Sequence, residues 1–174
     1  MKNLLFFTLL SIGLLSSCKD DNQDPTVLPE ATQSGKNTAG ALIDGKVWVA
    51  TTKKINQPGT YCENSGNRTN ITLELRQIEN QGRNSISITA IIEDLELNKI
   101  YPLSEDPDAG HKFAIYNDNN VVSYHTNSTN TGTIKITRLD LQNQIVSGIF
   151  EFKAVNNNGN VVTVTEGRFD KKFD

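Results

Sequence analysis

The feature that most limits the folds open to this 174-residue chain is an alternation of apolar and polar residues with a period of two. Ile71, Leu73 and Leu75 interleave with Thr72, Glu74 and Arg76, and Ile86, Ile88, Ala90 and Ile92 repeat the pattern after Asn80-Gln81-Gly82-Arg83. Successive side chains of a strand point to opposite faces, so each run offers one face to a core and one to water. No stretch shows convincing helical spacing, although Glu93 to Asn98 could form a single helical turn. Asp44-Gly45, set between Leu42-Ile43 and Lys46-Val47-Trp48, supplies the positive φ angles of a two-residue type I′ hairpin. Shorter runs follow at Ile100 to Leu103, Lys112 to Tyr116 and Val121 to Thr126, the last two joined by Asn117-Asp118-Asn119-Asn120. Thr133 to Asp140, Ile145 to Val155 and Val161 to Phe169 read as a three-stranded meander. In it Val146, Gly148, Phe150, Phe152 and Ala154 face inward, while Ser147, Glu151 and Lys153 face out.

About ten short strands with polar turns between them make an all-β fold. An antiparallel β-sandwich is expected, because strand lengths vary and Pro102 and Pro107 break the middle section. A calycin-like β-barrel is the alternative. The difference bears on function, since a small barrel can enclose a ligand and a sandwich binds on loops or on an exposed sheet face.

The first residues carry an address. Lys2, the apolar run Leu4 to Leu15 and the small Ser16-Ser17 have the layout of a secretory signal peptide, too short for the roughly 20 apolar residues of a spanning helix. Leu14-Leu15-Ser16-Ser17-Cys18 resembles the bacterial lipobox, which implies cleavage before Cys18 and attachment of acyl chains to it. Two such chains suffice for stable anchoring without a spanning segment. Lys19-Asp20-Asp21 resembles the signal that carries lipoproteins of Bacteroidota to the outer face of the outer membrane, with the periplasmic face as the alternative. The expected organisation is a signal peptide over 1–17, a lipidated cysteine and flexible tether over 18–38, and one all-β domain over 39–174. The tether is polar, contains Pro25 and Pro29 and lacks aromatics, and about 20 such residues reach roughly 25 Å.

Removal of residues 1–17 takes the formal net charge from −3 to −4, which gives no attraction for nucleic acid. With Cys18 committed to lipid, Cys62 has no partner for a disulfide and is expected to be a small buried apolar residue.

Catalytic signatures are missing from the sequence: there is no Gly-X-Ser-X-Gly, His-Glu-X-X-His, Cys-X-X-Cys or phosphate-binding glycine loop. No enzyme activity, cofactor or metal is therefore expected. Glu105, Asp106, Asp108 and His111 concentrate ligands of the kind calcium needs, but without the spacing of an EF-hand. Glu151, Glu166 and Asp170 fall on adjacent strands, where two acids in a cleft could cleave a glycoside, or could pair with Arg168, Lys171 or Lys172. The candidates for ligand binding are Trp48, Tyr61, Tyr101, Tyr116 and Tyr124, whose clustering on the surface would suit a protein or a glycan. Against this, Trp48 suits a core beside the first hairpin, and Tyr116 and Tyr124 suit a cross-strand pair.

Three segments, Ala41-Leu42-Ile43-Asp44-Gly45-Lys46-Val47-Trp48-Val49-Ala50, Ser147-Gly148-Ile149-Phe150-Glu151-Phe152 and Thr165-Glu166-Gly167-Arg168-Phe169-Asp170, are together similar to a family of small Bacteroidota lipoproteins of unknown function. The resemblance implies an all-β lipoprotein domain and transfers no catalytic residue. The expected function is that of a membrane-anchored, surface-exposed binding or accessory module for a protein or a polysaccharide. A carrier of a small apolar ligand and a glycan hydrolase are the alternatives.

Overall fold

The computed structural model describes residues 24–51, 59–79, 82–104, 111–119 and 121–173. Eleven strands are present: β1 (Thr38–Ile43), β2 (Lys46–Val49), β3 (Tyr61–Ser65), β4 (Arg68–Glu79), β5 (Gly82–Glu93), β6 (Ile100–Leu103), β7 (Lys112–Asp118), β8 (Val122–His125), β9 (Gly132–Asp140), β10 (Ile145–Val155) and β11 (Val161–Lys172). Among the described residues there is no helix, and Glu93 to Asn98 forms a bend and a turn, with Asp94 and Asn98 at φ 46° and 66°. β3 is the strand that periodicity misses, because Tyr-Cys-Glu-Asn-Ser carries little alternation. Its turn is nevertheless visible at Gly66, which takes φ 65°. The first hairpin forms as its sequence dictates, with Asp44 at φ 47° and Gly45 at φ 78°.

The strands make one open antiparallel sheet that folds over as a β-sandwich, in the order β2-β1-β11-β10-β8-β7-β5-β4-β3. The fold-over is produced at β10. Its first eight residues pair with β9, which continues to β6, whereas its last residue, Val155, pairs with His125 of β8. The sheet therefore branches, and the branches enclose one core. Backbone bonds fasten the edges: Thr51 donates to Arg76 of β4 at 2.7 Å, Ser104 donates to Lys112 of β7 at 2.6 Å, and Thr60 bridges Phe173.

The inward positions of every long strand meet in that core. Ile71, Leu73, Leu75, Ile86, Ile88, Ile134, Ile136, Val146 and Val164 are essentially inaccessible, and Trp48, Phe150, Phe152 and Phe169 fill the space between them. Burying each of these aliphatic side chains contributes roughly 1.5–3 kcal/mol.

Two expectations are corrected. Ser147 points away from the core, as alternation requires, yet is fully buried. The segment preceding β1 is also no free tether up to residue 38, because residues 32–37 lie across the outer face of β9, β10 and β11 as a strap. Both corrections have one cause. The Asp170 carboxylate on that face accepts hydrogen bonds from Thr32 Oγ1 (2.6 Å), Ser147 Oγ (2.7 Å) and the amides of Ser34, Gly35 and Lys36 (3.0, 2.8 and 3.1 Å). Gly35, at φ 72°, turns the amides towards a single anion. Arg138 donates to the Gln33 carbonyl, Lys171 to the Asn37 carbonyl, and the Lys172 amide to Asn37 Oδ1.

Candidate functional site

The aromatic residues singled out from the sequence do not assemble on the surface. Trp48, Tyr101 and Tyr116 are buried, at 3, 8 and 7% exposure. Each lies on an inward position of its strand, which is where a large apolar body belongs. The Tyr101 hydroxyl is satisfied locally by the Glu96 amide at 2.8 Å. Tyr116 and Tyr124 face each other in register across β7 and β8, with ring centroids 5.9 Å apart, and burial pushes the Tyr116 phenol up to about 12. Tyr61 is the exposed member, and its hydroxyl donates to Glu63 at 2.9 Å.

Cys62 is buried in the core, and desolvation pushes its thiol up to about 11, the state of an unreactive packing residue. Cys18, Lys19, Asp20 and Asp21 lie outside the described residues, as do Glu105, Asp106 and Asp108. His111 is exposed, at φ 55°. Among the described residues no group of three or more His, Cys, Asp or Glu side chains is placed to hold a metal ion.

The surface that does gather chemistry is the outer face of β9, β10 and β11. Two adjoining clefts of about 390 and 480 Å³ share Thr133 and Glu151 and together form a groove across this face. The strand registers order its floor. Ile100, Lys135, Ile149 and Arg168 stand side by side across β6, β9, β10 and β11. One step along come Thr133, Glu151 and the Thr165-Glu166 pair, and beyond them Thr131, Lys153 and Thr163. Ile100 and Ile149 are exposed, at 64 and 39%, and Ala31 closes the end nearest the strap.

A β-bulge shapes the middle of the groove. The register of β10 on β11 slips between Phe150 and Phe152, and that of β1 on β11 slips between Gly40 and Leu42, so the extra residue belongs to β11. Glu166 occupies it at φ 51°, an uncommon angle for a residue with a side chain. Arg168 Nη2 bonds the Glu166 carboxylate at 3.1 Å, and Arg168 Nε donates to the Glu166 carbonyl at 3.0 Å. Beside them Gly167 makes room for the Phe150 ring, since a Cβ there would lie 2.5 Å from the ring and from the Phe150 carbonyl oxygen.

Of the three acids named from the sequence, the groove therefore brings Glu151 and Glu166 together and leaves Asp170 out. Asp170 is 1% exposed beneath the strap. Burial acts to raise its pKa, and the hydrogen bonds from Thr32, Ser147 and the Lys36 and Gly35 amides outweigh that, holding it at about 2. Its partners are strap donors and Ser147; alternation alone had suggested pairing with Arg or Lys. Periodicity places Glu151 and Lys153 on the outer face, but the bulge at Glu166 and the wall at Ala31 have no period and leave no comparable trace.

No match was found among curated proteins or among solved structures. The family described as Domain of unknown function (DUF6252) matches residues 38–171, from the first residue of β1 to the penultimate residue of β11, so the sheet up to Lys171 and every groove residue except Ala31 lie within it. The chain belongs to this DUF6252 family.

Proposed function

We propose that this chain is a lipid-anchored binding module, held on the outer membrane by an acylated Cys18 and displayed at the cell surface, whose groove across β9, β10 and β11 receives a partner protein. The groove carries this reading. Its floor combines two exposed isoleucines, four threonine hydroxyls and charges of both signs, a surface suited to a polypeptide, which offers apolar, hydroxyl and charged groups at short intervals. A polysaccharide would be better served by exposed rings, and the rings nearest this floor, Phe150 and Phe152, are buried at 3% each. The sorting signal at Lys19, Asp20 and Asp21 supports the exposed location.

The test is photo-cross-linking on intact cells from a reactive residue at position 149, with position 121, an 83% exposed site on the β7–β8 turn, as the control. A discrete protein adduct from 149 and none from 121 is the expected result. Equal labelling from both positions, or an adduct that resists protease and yields to glycan hydrolysis, overturns the reading. On the same cells, protease should digest the native domain and spare one carrying alanine at positions 19, 20 and 21; protection of both until lysis would place the module on the periplasmic face.

A further inference from the structure

The outward side chains of β10 cross the groove at the pitch of an extended chain, and their charges alternate in sign. Ile149, Glu151 and Lys153 are two residues apart, a step of about 6.7 Å. The row at Ile149 carries Lys135 and Arg168, the row at Glu151 carries Glu166, and the row at Lys153 is flanked by threonines. The floor thus reads positive, negative, positive. Among the described residues Lys135, Glu151 and Lys153 have no ion-pair partner, so three charges of alternating sign are left to an incoming ligand.

Resting on the reading of this groove as a binding surface, we infer that its ligand is an extended segment of a partner protein. The segment lies along β10 and lowers alternate side chains in the order acid, base, acid. The first acid sits between Lys135 and Arg168, the base between Glu151 and Glu166, and the second acid over Lys153. A peptide in extended conformation repeats its side chains on one face at the same two-residue step as β10, so all three contacts form at once without strain in either chain. Exposed ion pairs are individually weak, so the pattern acts mainly through rejection: a base, acid, base segment meets a like charge in every row. The threonine hydroxyls at 131, 133, 163 and 165 flank the segment.

The experiment uses the full-length chain in detergent at low salt and measures fluorescence anisotropy of two labelled, capped heptapeptides. In one, threonine alternates with aspartate, lysine and aspartate; in the other, with lysine, aspartate and lysine. The first should bind at least tenfold more tightly. The triple variant K135E/E151K/K153E, checked for native Trp48 emission, keeps Arg168 and Glu166 opposite the new charges in the first two rows and should abolish that preference. Equal binding of the two peptides, or a preference that the triple variant leaves unchanged, overturns the inference. Polygalacturonate binding to the native chain as tightly as the favoured peptide overturns it as well, in favour of an acidic polysaccharide. A protein adduct from position 149 alongside equal peptide binding would reject this charge register while leaving the groove a protein-binding surface.

Discussion

At the scale of single residues, the most consequential group is a carboxylate that touches no ligand. Asp170 is a buried charge made tolerable by five donors, three of them backbone amides of the strap. Its folded pKa, about 2, lies below the ordinary value of 3.8, so its contribution is fully present above about pH 4 and is lost as the pH falls through 2. The difference corresponds to about 2 kcal/mol. Urea unfolding of the native chain and of D170N, compared between pH 5 and pH 2, should show the native chain losing about 2 kcal/mol more than the variant. At neutral pH D170N should itself be less stable by about 3 kcal/mol, because an amide offers one acceptor oxygen where five donors converge. Equal acid sensitivity of the two proteins would mean that the latch contributes nothing to folding. Cys62 makes the opposite case, a titratable group kept neutral by burial. With its thiol at about 11, reaction with a disulfide reagent at pH 8 should be at least about 100-fold slower in the native chain than in urea.

At the scale of elements, the strap and the bulge decide what the sheet presents. Truncation separates the strap from the chain before it. Removal of residues 1–28 should leave stability within about 0.5 kcal/mol of the full chain, since it keeps every strap donor to Asp170. Removal of residues 1–37 should cost about 3 kcal/mol, because it takes away four of the hydrogen bonds that hold the Asp170 carboxylate together with the cover the strap lays over the sheet face. Equal stability of the two truncations in urea would show that the strap is an accessory of the domain. Gly167 in the bulge gives a second check. G167A should lose about 2–3 kcal/mol, because the new Cβ meets both a core ring and a backbone oxygen, and the oxygen cannot move aside. The same two elements mark where sequence reading stops. Strands such as β4, β5 and β10 are legible because burial on one face imposes a period of two, and Asp44-Gly45 is legible because few residues accept its angles. The strap has the polar, proline-bearing composition of a linker, and its order comes from contacts with residues more than 100 positions away. Ser147 and Asp170 look like solvent-facing residues for the same reason: alternation reports which face a side chain is on, and it does not report what covers that face. Tyr101 and Tyr116 were readable as strand residues, and their burial follows from which face each occupies.

At the scale of the whole molecule, the order of strands in space runs against their order in the chain. β11, the last strand, sits between β1 and β10, so Thr38 lies opposite Asp170 and the two ends of the domain are neighbours in the sheet. The groove is assembled the same way, from β9, β10 and β11, with Ala31, the residue before the N-terminal strap, at its end. A chain built on such distant pairings must close long loops before any contact repays the entropy, which places all-β folds in the millisecond-to-second range of folding times. Trp48, the sole tryptophan, reports on this directly: it is 3% exposed, on the β1–β2 hairpin that β11 must meet. Stopped-flow refolding should show its emission moving to the buried form over milliseconds to seconds, with no microsecond phase of comparable amplitude. A chain lacking residues 161–174 should retain the Asp44-Gly45 hairpin sequence and still show solvent-exposed Trp48 with no cooperative unfolding, because β11 is the strand that joins the β1–β2 hairpin to β10 and the rest of the sheet. Native emission and a cooperative transition in that truncated chain would show that β1 and β2 find their place without the strand that joins them to the rest. In that event the continuity of strap, groove and core through β11, on which the proposed binding surface depends, would have to rest on other contacts.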